Sequence, residues 1–117
     1  MRKKVKVEKT FDIVFLDSAE QDMKDLRVYI IKNFSQKTWL STFEKIKLAV
    51  DSLQRFPLAG NVPDEIAKLN LTQYRQILSG MNRIIYEVRQ DTIYIHIVVD
   101  ARRDMSAVLT RRLLRVH

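Results

Sequence analysis

The part of this 117-residue sequence that begins at Tyr74 contains five residues whose side chains could act on a phosphodiester: Arg75, Arg83, Tyr94, His96 and Arg103. Arginine can stabilise negative charge on a phosphate, and histidine titrates near neutral pH. Cleavage of RNA through the 2′-hydroxyl requires such groups together, as a base, an acid and positive charge at the phosphate. These five residues are therefore the candidate catalytic residues.

Three of these residues also have a purely structural interpretation. His96 lies in the middle of a predicted strand, where its ring could simply bond a neighbour. Arg83 could form a salt bridge with Glu87 or Asp100. Arg103 could bond the free backbone groups at the end of a strand or helix. Both interpretations remain open from the sequence.

Two predicted strands, 82–89 and 92–100, would position most of these residues. Gln90 and Asp91 form a tight turn between them, which predicts an antiparallel hairpin. Directly opposed residues point to the same side of a sheet, so the pairing decides which side chains share a face. The predicted apolar face sets Val88 opposite Ile93, Tyr86 opposite Ile95 and Ile84 opposite Ile97.

The other face of the hairpin would carry the charged residues. It sets Glu87 opposite Tyr94, Ile85 opposite His96 and Arg83 opposite Val98. A third strand precedes the hairpin, and Ser79-Gly80-Met81 is interpreted as a three-residue turn. That turn sets Ile77 beside Arg83 and Arg75 beside Ile85. Arg75, Arg83, His96, Tyr94 and Glu87 are then expected to line one open face.

The net charge of +7 and the sequence pI of about 9.9 favour polyanionic or acidic partners. Residues 1–10 form a basic N-terminal extension. Arginine alone supplies the positive charge near the C-terminus, which suits bidentate contacts to phosphate or carboxylate. The candidate residues for binding nucleic acid or another target are Arg102, Arg111, Arg112 and Arg115.

The wider pattern predicts an α+β domain spanning 1–117, with the order β-α-α-β-β-β-α and a small, largely antiparallel sheet. A strand is expected within 11–16, and apolar residues at spacings of three and four predict two helices. Ser18 and Ser35 are the predicted N-caps of these helices, Pro57 ends the second, and Asp104 caps the last helix. The first two helices should form a hairpin on one face of the sheet and leave the other open.

Composition excludes several classes of site. The chain has no cysteine, two histidines and two glycines, which argues against disulfides, a zinc site or a glycine-rich phosphate loop. No apolar run reaches the length of a membrane span. We expect no cofactor and no metal, and a cytoplasmic location.

Several segments taken together resemble the RelE/ParE superfamily of type II toxin–antitoxin toxins over about residues 11–115. They are the Phe56-Pro57 to Gly60 connection, Tyr74-Arg75, Asn82-Arg83-Ile84-Ile85-Tyr86 and Ala101-Arg102-Arg103-Asp104. The resemblance implies a compact sheet with a helical hairpin on one face and the active surface on the other. It also implies a partner, a small acidic antitoxin that is partly disordered and masks the toxin.

The resemblance implies two targets. RelE-like members cut messenger RNA on the ribosome, and ParE-like members poison DNA gyrase. The RelE-like arginines that stabilise the scissile phosphate match Arg83 and Arg103, with Arg75 a looser match. Leu109 stands where RelE-like toxins have a tyrosine. The leading expectation is ribosome-dependent mRNA cleavage; the alternatives are a gyrase poison without nuclease chemistry and a basic nucleic-acid-binding module.

Overall fold

The computed structural model describes residues 10–114, which contain one four-stranded sheet with the order β1-β4-β3-β2. The strands are β1 Asp12–Phe15, β2 Tyr74–Ser79, β3 Asn82–Arg89 and β4 Thr92–Asp100. β2, β3 and β4 pair antiparallel, and β1 pairs parallel with the start of β4. The predicted α+β class, the largely antiparallel sheet and the order of the predicted elements along the chain are confirmed.

Four helices complete the fold: α1 Asp17–Asn33, α2 Gln36–Ser52, α3 Asp64–Lys68 and α4 Met105–Leu113. Two predicted caps are confirmed, because Ser35 Oγ accepts from the backbone N–H of Thr38 and Asp104 Oδ1 accepts from that of Ala107. The α2 helix ends at Ser52, ahead of Pro57, and continues only as turns.

The predicted cap at Ser18 is wrong, because α1 begins at Asp17 and its N-cap, Leu16, lies two residues before Ser18. The backbone of Leu16 is still bonded to β4, because its N–H donates to Ile95 O over 3.1 Å. Its own carbonyl already accepts from Glu20 N, so Leu16 is the N-cap and no side chain caps this end. Strand and helix follow each other without a turn.

The helical hairpin α1–α2 covers one face of the sheet, called the first face, as predicted. The first core lies between this hairpin and the sheet and contains Ala19, Ile46, Val50, Leu53, Ile84, Tyr86, Ile93, Ile95 and Val98. Burial of this apolar surface is the main favourable term in folding the hairpin onto the sheet.

The opposite face of the sheet, called the second face, is covered as well, so the expectation of an open face is wrong. Helices α3 and α4 pack on it and enclose a second core of Ile66, Tyr74, Ile85, Ile97, Met105, Val108 and Leu109. The apolar stripe of α4 requires a partner surface, and the first face is already occupied by the hairpin. The charged side chains of this face therefore lie around a small core.

A β-bulge in β4 changes the register of the β3–β4 hairpin halfway along. Tyr86 pairs with Ile95 as predicted, but Ile85 pairs with Ile97, so His96 is the extra residue. The predicted pairs Val88–Ile93, Tyr86–Ile95 and Glu87–Tyr94 are confirmed, whereas the predicted partners of Ile84, Ile85 and Arg83 are wrong by one residue. A bulge breaks the alternation of side chains between the two faces of a strand. The side chains of His96 and Ile97 therefore both lie on the second face.

The turn between β2 and β3 is also shorter than predicted. Ser79 pairs with Asn82, which leaves only Gly80 and Met81 in the turn. Gly80 has a φ of +57°, a left-handed conformation that glycine adopts without cost. Because a one-residue change of register moves every side chain of a strand to the other face, Arg75 pairs with Tyr86 instead of Ile85.

Candidate functional site

Arg83 lies almost fully buried on the second face, 9% exposed, with its guanidinium occupied by two neighbours. Its Nη1 and Nη2 donate to the two carboxylate oxygens of Glu65 over 3.0 and 3.1 Å. Its Nε donates to Gln76 Oε1. The arginine lowers the pKa of Glu65 below its usual value, chiefly through these hydrogen bonds. The positive charge that a phosphate would require is therefore neutralised within the chain, by Glu65 and not by the predicted Glu87 or Asp100.

His96 is held in the second face by two side chains. Its Nε2 lies 3.0 Å from Glu87 Oε1, and its ring meets the ring of Tyr74 edge-on at 4.9 Å between centroids. Burial lowers the pKa of His96 below its usual value and outweighs the opposing contact with Glu87. A neutral, enclosed imidazole bonded to a carboxylate matches the structural interpretation of this residue.

We expect the lowered pKa of His96 to make the protein less stable as the pH falls from 7.5 to 5.5. The unfolded chain binds a proton near pH 6.5, while folded His96 resists it, so stability rises with pH across this window. A histidine that stays neutral when folded costs at most about 1.4 kcal/mol at pH 5.5.

The measurement is urea unfolding at several pH values, for the parent chain and for His96→Gln. The variant should lose most of this dependence, whereas His117→Gln, at the chain's other histidine, should keep it. An unchanged pH profile in His96→Gln would contradict the expectation. Glu65 and Asp100 do not confuse the test, because hydrogen bonds from Arg83 and Arg102 lower the pKa values of these carboxyl groups and so move them further below this pH window.

Arg75 lies on the first face, away from Arg83 and His96, and the expectation that it joins them is wrong. Its Nη1 donates to Gly60 O over 2.7 Å. The buried hydroxyl of Tyr86, its neighbour on β3, donates to Pro57 O over 2.8 Å and accepts from Gly60 N over 2.9 Å. Arg75 and Tyr86 together fix the connection after α2 against the sheet.

Tyr94 remains beside Glu87 on the second face, as predicted, and is half-buried. The guanidinium of Arg89 stacks over its ring at 5.3 Å from the centroid. Arg89 Nη2 also lies 2.9 Å from Glu87 Oε1, so the carboxylate is shared between this arginine and His96. Tyr94 thus belongs to a local cation–π and ion-pair cluster.

The remaining predicted arginines converge on a groove of about 740 Å³ between α1, α4 and the end of β4. We call it the basic groove. Its lining contains four arginines, three aspartates and several apolar side chains, among them Arg102, Arg103, Arg111, Arg112, Asp22, Asp25, Asp100, Leu26 and Val108. None of Arg75, Arg83, Tyr94 and His96 lines it. Arg115 lies outside the described residues, as does nearly all of the basic extension 1–10.

Two of the groove arginines are paired inside the chain. Arg112 Nη1 and Nη2 donate to the two carboxylate oxygens of Asp22 over 2.9 and 3.0 Å, and Nη2 also donates to His96 O. Arg102 donates to both carboxylate oxygens of Asp100 and lowers its pKa. Arg103 and Arg111 are exposed at the rim and are the arginines best placed to meet a partner.

The structure therefore distributes the candidate catalytic residues over three places: the second face, which holds Arg83, Tyr94 and His96, the first face, and the basic groove. Arg83 is bonded to Glu65, His96 lies between Glu87 and Tyr74, and Arg75 lies on the opposite face. Arg103 is at the basic groove. No pair of them brings a free cation and a proton-transfer group to one accessible point, which phosphodiester cleavage would require.

Three partners of these arginines were missed by the sequence reasoning: Asp22, Glu65 and Gln76. Asp22 carried a signal, because it falls within the apolar stripe of α1, three residues after Ala19 and four before Leu26. A carboxylate at such a position predicts a buried cation. The sequence around Glu65 and Gln76 carried no such signal, because their contacts with Arg83 depend on how α3 packs against the sheet.

Within residues 10–114, no cluster of three or more histidine, cysteine, aspartate or glutamate side chains is arranged to hold a metal ion. No helix in that range combines the length and apolar character needed to cross a membrane.

Comparison with known proteins gives one family and a shared fold. The family described as "ParE toxin of type II toxin-antitoxin system, parDE" matches residues 13–105. No curated protein sequence is significantly similar to the chain.

Among the solved structures that share the fold are two from toxin–antitoxin systems. One is titled "Chromosomal ParDE TA system from P. aeruginosa"; it is 14% identical, with a TM-score of 0.66 over 79% of this chain and 97% of that one. The other is the toxin–antitoxin complex RelBE2 from Mycobacterium tuberculosis, 19% identical, with a TM-score of 0.54 over 78% of this chain and 91% of that one. Both belong to toxin–antitoxin systems.

Proposed function

This chain belongs to the ParE family of type II toxin–antitoxin toxins, and we propose that it arrests growth by binding and poisoning DNA gyrase, without nuclease chemistry of its own. The family match spans most of the chain. What remains to be assigned is the target, because RelE-like and ParE-like members share the fold and fold does not fix function.

The observation that supports a binding toxin is the occupied guanidinium of Arg83. Glu65 takes both of its terminal nitrogens, and the side chain of Arg83 is only 11% exposed. An arginine that stabilises a phosphate in a transition state must present its donors to the substrate. Three further features support a binding toxin: His96 is enclosed, Arg75 lies on the opposite face from Arg83, and Leu109 stands at the position of the RelE-like tyrosine.

Cleavage of mRNA, the leading expectation from the sequence, is the second candidate. The shared fold with a RelBE2 toxin–antitoxin complex favours it. It would require Glu65 to leave Arg83 and a proton-transfer group to approach, two rearrangements that a binding toxin does not require. We therefore rank it below gyrase poisoning.

The test is induction of the chain in growing cells with labelled thymidine and labelled methionine followed in parallel. We expect thymidine incorporation to collapse first, with filamentation and a DNA-damage response, because a gyrase poison stops replication before translation. Co-expression of the acidic antitoxin should restore both signals. An early collapse of methionine incorporation with cleaved mRNA would instead establish the nuclease.

A biochemical assay removes the ambiguity of growth effects. The purified chain is incubated with DNA gyrase and supercoiled plasmid in one reaction, and with translating ribosomes in another. The proposal requires linear plasmid to accumulate in the first reaction and mRNA to remain intact in the second. Ribosome-dependent mRNA cleavage without any effect on gyrase would overturn it.

An acidic antitoxin is the partner that fits the surface of this chain. Both similar structures come from toxin–antitoxin systems. The rim of the basic groove carries Arg103 and Arg111, whose charges an acidic segment would neutralise, and its floor offers apolar side chains. Such a segment would bury the groove and hide its arginines from the target.

A further inference from the structure

A second, smaller pocket lies between the tip of the helical hairpin α1–α2 and the turn that joins β2 to β3. Its volume is about 300 Å³, and we call it the tip pocket. Both helices, the turn and the end of β4 contribute to its lining, through residues that include Tyr29, Phe34, Thr42, Lys45, Met81 and Arg102. The pocket is therefore formed by segments that are far apart in the sequence.

Three large apolar side chains of the tip pocket are exposed to water. The exposed fraction is 65% for Phe34, 54% for Met81 and 50% for Tyr29. The rings of Tyr29 and Phe34 meet edge-on with 6.4 Å between their centroids, so these two side chains form one apolar surface. Exposed apolar surface that is concentrated around a pocket is typical of a protein contact site. Aromatic residues in such pockets contribute much of the binding energy of protein complexes.

The walls of the tip pocket are held in place by backbone hydrogen bonds. Met81 O accepts from the N–H of Ala101 over 2.7 Å, which fixes the turn against the end of β4. On the other side, the N–H of Phe34 donates to Ile30 O over 2.8 Å, and Ser35 caps α2. A preformed pocket loses little conformational freedom when a partner binds. The tip can therefore receive a partner without refolding.

The charges near the tip pocket favour an acidic protein over a second copy of this chain. Lys45 is exposed on α2 at the pocket, whereas Arg102 is neutralised by Asp100. With a net charge of +7 on each chain, two copies would repel each other. A nucleic acid matches less well, because the lining is mainly apolar and offers few donors to phosphates. The matching partner is a protein surface with a projecting apolar side chain and a carboxylate beside it.

The tip pocket adjoins the basic groove. Four residues line both: Leu26, Tyr29, Asp100 and Arg102. Other exposed apolar residues of the hairpin, such as Val28, Leu40 and Leu48, line neither. An antitoxin neutralises a binding toxin by covering the surface that meets the target. An acidic segment in the basic groove would reach the residues shared with the tip pocket, so the pocket is the apolar surface best placed for that control.

We infer that the tip pocket is the surface through which this toxin docks on DNA gyrase, given that gyrase is the target proposed above. The pocket receives one large apolar side chain from an acidic part of the gyrase surface. Tyr29, Phe34 and Met81 pack around that side chain, and Lys45 pairs with a neighbouring carboxylate. Occupation of the basic groove by the antitoxin then blocks docking at the shared residues.

The first test compares Phe34→Ser with Leu48→Ser. Both changes remove an exposed apolar side chain, 65% and 61% exposed, but only Phe34 lines the tip pocket. Each purified chain is titrated into DNA gyrase with supercoiled plasmid, and the concentration that converts half of the plasmid to linear DNA is recorded. We expect Phe34→Ser to require about tenfold more protein than the parent chain. Leu48→Ser should differ from the parent by less than about twofold.

A charge reversal gives a second readout that does not depend on removing an apolar side chain. Lys45→Glu should require about fivefold more protein in the same titration, because it places a negative charge opposite an acidic partner. Lys37→Glu is the matched control, since Lys37 is exposed on the same helix and does not line the pocket. Its effect should stay below about twofold at equal ionic strength.

The outcomes separate this docking site from the proposed function. Linear plasmid from the parent chain, with equal activity in Phe34→Ser and Leu48→Ser and in the two lysine variants, would overturn the docking site and leave gyrase poisoning intact. A parent chain that produces no linear plasmid would overturn both. Sedimentation of the chain alone tests a different occupant: a dimer that Phe34→Ser dissociates would assign the pocket to a second copy and contradict docking on gyrase.

Discussion

Replacing Asp22 with alanine is expected to lower the free energy of unfolding by about 3 kcal/mol. The Asp22 side chain is 16% exposed and that of its partner Arg112 is 20% exposed, so the ion pair is largely removed from water. Loss of the carboxylate leaves a half-buried guanidinium without its counter-charge and takes the acceptor from the Val98 N–H, which Asp22 Oδ2 binds at 3.0 Å. An uncompensated buried charge costs more than a lost surface pair.

The measurement is urea unfolding of the full chain at neutral pH. Asp25→Ala is the matched control, because Asp25 lies three residues further along α1, is exposed, and bonds only Gln21 among the described side chains. That control should lose less than about 0.5 kcal/mol. Asp22→Asn should fall between the two, since an amide oxygen can still accept from Val98 but carries no charge. Similar losses in Asp22→Ala and Asp25→Ala would show that the pair contributes no more than a surface contact.

Replacing Gly60 with alanine is expected to cost about 3 kcal/mol, for a steric reason. A Cβ at this position would lie 2.5 Å from Gln76 O, 2.7 Å from the Tyr86 hydroxyl and 2.9 Å from Tyr86 Cε1. The first atom belongs to the backbone of β2, and the other two to a fully buried ring. Relief of the clash must displace the connection and break the Gly60 N–H bond to Tyr86 or the Arg75 bond to Gly60 O.

Gly80→Ala provides the comparison, measured by the same denaturant titration. Gly80 has open space where a Cβ would be and a φ of +57°, so alanine there incurs only the left-handed backbone penalty of about 1 kcal/mol. Gly60→Ala should therefore be clearly the more damaging of the two. If Gly80→Ala proved the worse variant, the connection after α2 would have to be free to move away from β2.

The sequence predicted the elements better than the faces on which their side chains lie. Strands, helical hairpin and two caps follow from local patterns, because alternation and three-four spacing are properties of a few consecutive residues. The inclusion of Arg75 in the candidate site depended on one turn residue. Ser79 joins the ladder instead of the turn, and that single step moves Arg75 to the other face.

The second face illustrates a different limit. The β3 residues on this face are Arg83, Ile85 and Glu87, and two charged residues out of three are typical of a solvated surface. The bulge at His96 adds Ile97 to that face, and α3 and α4 then supply the rest of a core. No local sequence pattern in β4 predicts this bulge, because the strand is otherwise regular. The pairing of Arg83 with Glu65 follows from the same long-range packing and could not be read from either segment alone.

The short β1 has a consequence for how this sheet avoids joining others. It pairs with only the first four residues of β4, up to Ile95, so within residues 10–114 no other strand pairs with the outer side of the rest of β4. A bare strand edge is a template for intermolecular pairing and aggregation. Here the outward His96 O is taken by Arg112 and the outward Val98 N–H by Asp22. The Asp22–Arg112 ion pair therefore binds backbone groups of β4 that a neighbouring strand would otherwise bind. Two side chains protect this part of the edge, and no additional strand is needed there.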